Sequence, residues 1–112
     1  MSSAPRPAHD AKANLFRVLG HPARVRILEL LRDHGEHAVG ALQLALGLGE
    51  GSTSQHLAAL RRVGLVESRR QGTTIFYRVD DTRVFDLLAA GRDVITAQIT
   101  RQQAMLRDLR TG

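Results

Sequence analysis

Residues Ser52–Gly72 read STSQHLAALRRVGLVESRRQG, and after Thr73 the chain continues through Thr74–Val79 as TIFYRV. Ser52 offers a hydroxyl where a helix would begin, and Gly64 is a stop signal just after Val63, so Ser52 to about Val63 is expected to be helical. Within that helix Leu57 and Leu60 fall on one side and should face inward, which leaves Ser52, Thr53, Ser54, Gln55 and His56 exposed at its N-terminal end. Leu65–Arg70 and Thr74–Val79 are rich in β-prone residues. Gln71-Gly72-Thr73 between them is turn-forming, so this part reads as a hairpin.

Upstream, Gly47–Gly51 contains three glycines and reads as a turn, preceded by a short helix, about Val39 to Leu46, carrying Val39, Leu42, Leu44 and Leu46. A short helix, a tight turn and a capped second helix form a helix-turn-helix, and the hairpin behind it would be a wing. Further back, Ala11, Leu15, Val18 and Leu19 recur at helical spacing from His9 to Leu19, where Gly20 stops the helix. His21-Pro22 restarts it, since proline suits a first turn, and Val25, Ile27, Leu28, Leu30 and Leu31 make a largely buried helix ending near Gly35.

Downstream, Asp81 to about Leu109 is one long helix with Val84, Leu87, Leu88, Gly91, Val94, Ile95, Gln98, Met105, Leu106 and Leu109 along one side. So long a stripe on so small a domain needs cover, most simply from a second copy of the chain. The expected fold is therefore mainly α with a β-hairpin wing (α+β), in the order ααααββα. Residues 1–8 (MSSAPRPA) read as a flexible tail and 9–112 as a single domain.

Bulk composition narrows the function. Sixteen basic residues against eleven acidic ones give a net charge of +5, and Lys12 is the only lysine. Arginine's forked guanidinium suits phosphates and guanine edges, so nucleic acid is the indicated partner. With no cysteine, disulfides, thiolate metal sites and thiol redox switches are excluded. There is no apolar run long enough to span a bilayer and no apolar signal core at the N-terminus, so a cytoplasmic protein is expected. An enzyme has little to work with. No glycine-rich phosphate loop follows a strand, and Asp80 and Asp81 are accounted for as partners of the last helix's dipole.

The stretches LFRVLGHPARVRILELL (Leu15–Leu31), Ser52–Gly72 and Thr74–Val79 together resemble the ArsR/SmtB family of winged-helix repressors, in the right order and spacing from about Leu15 to Leu88. The resemblance implies a homodimer formed through the first and last helices. Leu15, Val18 and Leu19 would meet Val84, Leu88, Gly91, Val94, Ile95, Met105 and Leu106 at that interface. It also implies a sequence-specific regulator of transcription that binds double-stranded operator DNA, with two recognition helices about one helical turn, ~34–36 Å, apart.

The DNA-reading parts follow from groove chemistry. A helix fits the major groove, where Gln55 can both donate and accept at adenine and the hydroxyls of Ser52, Thr53 and Ser54 can bond bases or phosphates. His56 is expected on the same face, and the helix N-terminus itself favours a phosphate. Arg61 and Arg62 lie one to two turns later and suit the backbone. Arg69, Arg70 and Arg78 make a basic wing around Gly72. Ser52–Arg78 holds five arginines against one acid, Glu67, and so carries four of the chain's five net positive charges. Such concentration is what a DNA-facing surface requires.

Many members of the family release DNA when they bind a metal. One family site has a Cys-Val-Cys core, but the matching stretch here, Glu36–Leu42, has Ala38 and Gly40 at the cysteine positions. The other pairs an Asp-x-His with two further ligands on the last helix; Asp81 remains, while Arg83, Val94 and Ala97 replace the rest. One carboxylate cannot hold a transition metal, so no cofactor is expected. Of the five histidines, His21 reads as structural. His34, His37 and His9 are the candidates left for a non-standard nickel- or zinc-type site, which is the alternative reading. A second alternative is a protein-interaction module that acts with a partner protein through its long apolar helix.

Overall fold

The computed structural model describes residues 7–112. Most of the expected tail, residues 1–8, lies outside the described residues, but its boundary moves: Pro7 caps the first helix and Ala8 already belongs to it. The described chain forms two compact units, one ending at Thr82 and the other spanning Arg83–Gly112.

The first unit runs α1 (Ala8–Leu19), α2 (Pro22–His34), β1 (His37–Ala38), α3 (Val39–Leu46), α4 (Glu50–Arg62), β2 (Val66–Gln71) and β3 (Thr74–Val79). Local chemistry sets most of these limits. Pro22 occupies the first turn of α2, and the ring of His21 accepts from the Ala23 N–H at 3.1 Å, so one orphan donor of the helix start is satisfied by a histidine cap. The turn between α3 and α4 needs Gly47, whose left-handed φ of 66° lets Leu48 N–H reach back to the Gln43 carbonyl at 3.2 Å. Gly72 meets the same requirement in the hairpin. Gln71 pairs with Thr74, leaving Gly72-Thr73 as a two-residue turn, and a φ of 63° at its first position is the geometry that follows the twist of the strands.

The expected start of α4 is corrected. The helix begins at Glu50, capped by the backbone of Gly49, and Ser52 lies inside it with no capping hydrogen bond. Glycines in the turn misled the reading: Gly51 carries little helical preference, yet the helix runs through it because Thr53 and Leu57 are anchored below. In the other direction the structure adds a strand. β1 pairs with β3, His37 opposite Tyr77 and Ala38 opposite Phe76, to give an antiparallel sheet of order β1-β3-β2. Two residues are too few to show alternation in a sequence.

The core of this unit gathers Val18 and Leu19 from α1, Ile27, Leu28, Leu30 and Leu31 from α2, Leu42 from α3, Leu57 and Leu60 from α4, and Leu65 and Val66 entering the hairpin. Helical period decides which apolar residues stay outside it. In α3, Leu42 is fully buried, whereas Leu44, two residues on and therefore about 200° around the axis, is 86% exposed.

The second unit is α5 (Arg83–Thr111), a single helix of 29 residues that starts two residues later than expected and is roughly 43 Å long. Val84 is its one buried residue, and every position from Ala89 onward is exposed. The apolar side chains of Val94, Ile95, Ile99, Met105, Leu106 and Leu109 thus stand in solvent in the single chain. Among the described residues, no helix is long and apolar enough to cross a membrane.

The packing predicts that Leu57→Ala, which empties a fully buried position on α4, destabilises the protein by about 2–5 kcal/mol. The urea midpoint should fall at unchanged m-value, measured at one fixed protein concentration.

Candidate nucleic-acid interface

Burial of Thr53, Leu57, Ala59 and Leu60 fixes how α4 is turned. Ser54, Gln55, Ala58, Arg61 and Arg62 then face outward, with Ser52 on one edge. Of the residues expected on this face, Ser52, Ser54, Gln55, Arg61 and Arg62 are exposed. Thr53 is corrected: it is fully buried, and its hydroxyl donates to the Gly49 carbonyl at 2.9 Å, closing the first turn of the helix. It anchors the helix and cannot touch a duplex. The N-terminus is also less free than expected, because Glu50 in the first turn already places a carboxylate against the helix dipole.

His56 is the second correction. It is half-buried, with its ring 4.3 Å from that of His21, and its Nδ1 accepts from the Arg24 Nε at 3.1 Å. Arg24 also donates to the Val18 carbonyl at 3.2 Å, so one guanidinium ties the end of α1 and the start of α2 to the recognition helix. The geometry requires a neutral His56. Burial pushes its pKa below the ordinary value, and the adjacent His21 and Arg24 push in the same direction.

The wing divides its arginines by strand alternation. Glu67, Arg69 and Gln71 share one face with Arg78, Phe76 and Thr74 opposite them. On this face Arg69 donates to Glu36 at 2.8 Å and to Gln71 at 2.8 Å, and its guanidinium lies 4.6 Å from the Phe76 ring centre. Arg69 holds the Glu36 carboxyl below the usual carboxylate range, chiefly by hydrogen bonding. Arg78 pairs with Glu67 across the strands. The expectation of three open wing cations is therefore corrected. Arg70 alone of the three points to the other face, and among the described residues it has no hydrogen-bond or ion-pair partner.

The candidate metal ligands are not gathered. The His34 and His37 rings are 5.5 Å apart, His37 Nδ1 lies 3.2 Å from the Gly35 carbonyl, and exposed His9 sits 3.4 Å from Asp10. Among the described residues there is no group of three or more His, Asp or Glu side chains placed to hold a metal ion. Of the residues expected at a dimer interface, Val18, Leu19 and Val84 are buried within the single chain. Leu15 and Leu88 are half-buried, and Gly91, Val94, Ile95, Met105 and Leu106 are exposed.

Sequence reasoning missed Arg24 and Arg17. They line a groove of about 640 Å³ together with Val18, Gly20, His21, Gln55, Ala59 and Arg62. No local signal marks them, because their connection to α4 exists only after folding.

Comparison with known proteins places this geometry. Residues 21–68, from the His21 cap into the first strand of the wing, match the family described as "Bacterial regulatory protein, arsR family". The chain is 39% identical over 106 residues to the uncharacterized HTH-type transcriptional regulator Rv0081 of Mycobacterium tuberculosis, an alignment covering 95% of this chain and 93% of that one. The crystal structure of Rv0081 superposes with a TM-score of 0.79 at 37% identity, over 88% of this chain and 98% of that one. The biofilm growth-associated repressor of Xylella fastidiosa is 38% identical over 86 residues, 77% of this chain and 75% of its own. The homodimeric winged helix-turn-helix DNA-binding domain Mb0332 of Mycobacterium bovis, solved in solution, has a TM-score of 0.70 at 34% identity, covering 86% of this chain and 91% of that one.

The state of His56 predicts how stability depends on pH. A base whose pKa is lowered by folding binds its proton more readily in the unfolded chain, so acid favours unfolding. Stability should therefore be greater above about pH 6.5 and decline as pH falls through the ordinary histidine range. Urea melts between about pH 7.5 and pH 5.5 should show the decline, and His56→Gln should flatten it. An unchanged pH profile in the variant would remove His56 as the cause.

Proposed function

Because the chain belongs to the arsR family of bacterial regulatory proteins, we propose that it is a homodimeric, sequence-specific transcription regulator that lays the exposed face of α4 in the major groove of operator DNA. The observation carrying this reading is the outward face of α4, where Ser54 and Gln55 can address base edges while Arg61 and Arg62, a turn or more later, suit phosphates. Arg70, on the wing face away from Glu36 and Glu67, adds a backbone contact. A second copy supplies the cover that the exposed stripe of α5 requires, since an apolar band of that length is otherwise an aggregation hazard. A regulator of this kind works in the cytoplasm, binds rather than catalyses, and needs no metal at the family's positions. Ala38 and Gly40, and Arg83, Val94 and Ala97, offer no ligand there. Its signal enters by another route, through a small molecule, a partner protein or its own abundance.

The test begins with duplexes selected from a random-sequence pool and measured by fluorescence anisotropy. Gln55→Ala should lose about 1–3 kcal/mol of discrimination between selected and scrambled duplexes. Arg70→Ala should weaken binding to both alike and lower the slope of log affinity against log salt by about 1. Wild-type protein that enriches no sequence and ignores duplex at low ionic strength would refute the reading.

A further inference from the structure

The groove between the α1–α2 corner and α4 has a composition that the reading above does not use. Its walls include Arg17 at the end of α1, His21 and Arg24 at the start of α2, and Gln55 and Arg62 on α4, and no carboxylate lines it. The acid closest along α1, Asp10, is two turns before Arg17; it lines an adjoining recess with Ala13, Asn14 and Arg17 itself, but makes no ion pair with that arginine among the described residues. Elsewhere on this unit several arginines have an acid partner: Arg69 has Glu36, Arg78 has Glu67 and Arg32 has Asp33. Here Arg17, Arg24 and Arg62 line one groove with no acid among its lining residues, and they donate to uncharged acceptors: Asn14, Val18, Ala58 and the His56 ring. Converging guanidinium groups that remain uncompensated make a receptor for an oxyanion.

We propose that this groove binds a phosphodiester strand of the duplex, flanking the recognition helix on the α1–α2 side. The inference rests on the DNA-binding reading and extends it to Arg17 and Arg24. A helix in the major groove, about 12 Å wide, is bordered by two phosphate strands. On α4, Gln55 and Arg62 lie about two turns apart along the groove's wall, so a strand bordering Gln55 would run past Arg62 and meet Arg17 on the opposite wall. The groove is wide and open, and its arginines are long side chains at the surface. Single contacts of that kind are weak, so the site suits a polyanion that brings several phosphates at once better than a small anion held alone. Arg24 has a second role as a positioning residue. It already holds His56, so a phosphate at its remaining N–H groups would act directly on the seating of α4.

The test uses the full chain and the selected duplex. Arg17→Ala should weaken binding roughly five- to tenfold and lower the salt slope by about 1, and Arg17→Glu should cost more than Arg17→Ala. Because Arg17 is exposed, thermal midpoints of the variants should match wild type, which separates lost contact from lost fold. Replacing the flanking phosphates of the duplex with uncharged methylphosphonates should reproduce the loss and abolish the effect of the Arg17 substitutions. Unchanged affinity in both variants, with Arg70→Ala still weakening binding, would overturn the groove while leaving the DNA reading intact. Wild-type protein that ignores duplex overturns both. Millimolar inorganic phosphate that shifts the arginine side-chain signals, with duplex affinity unaffected by the variants, would mark a small-anion site and equally overturn the proposal.

Discussion

Everything outside the core depends on how α4 is rotated about its own axis, and that is settled by Thr53, Leu57 and Leu60. These three residues, at i, i+4 and i+7, are fully buried, and an α-helix with one stripe sealed has no freedom left for the other. A turn of one residue, 100°, would bring Ser52 and His56 inward and expose Thr53, Leu57 and Leu60. The Thr53 hydroxyl adds precision at the end where base contacts begin. It donates to the Gly49 carbonyl, so the Thr53 hydroxyl is itself satisfied inside the fold and pins its side chain to the start of the helix. The polar groups of Ser54 and Gln55 therefore remain unspent.

The same logic of alternation operates in the wing, with period two. Charge counted along the sequence overstates what the hairpin offers, since Arg69 and Arg78 share a face with Glu67 and are reached by Glu36 from the α2–β1 connection. These pairs are exposed and each contributes little to stability. Their effect is on the field: two of the three wing cations have an acid partner, whereas Arg61 and Arg62 on α4 and Arg17 and Arg24 at the α1–α2 corner have no ion pair among the described residues.

Much of this was legible in the chain. The order of helices, the Gly47 turn, the Gly72 hairpin and the burial of Leu57 and Leu60 follow from hydrophobic period and from two glycines with positive φ. The candidate site was legible only in part, for a physical reason. Thr53 and His56 have side chains that suit DNA; Thr53 instead bonds a carbonyl four residues back, a contact hidden when the helix is started at Ser52, and His56 meets an arginine thirty-two residues earlier. β1 was invisible for the same reason: two residues become a strand only because β3 is there to pair with them. For His56 and β1 non-local partners decide the role, and a linear reading has access only to neighbours.

The pairing of β1 with β3 also shapes how the molecule assembles itself. His37 and Tyr77 meet across about forty residues of chain, and the Arg69–Glu36 contact spans a comparable loop. The hairpin and the individual helices close over short separations, whereas this outer edge of the sheet can zip only after the intervening helices have packed, when its loop entropy has already been met. The β1 edge of the sheet is thus the part that depends on prior packing of the helices, and amide exchange at His37 and Ala38 is expected to report a local opening that leaves the helical core closed.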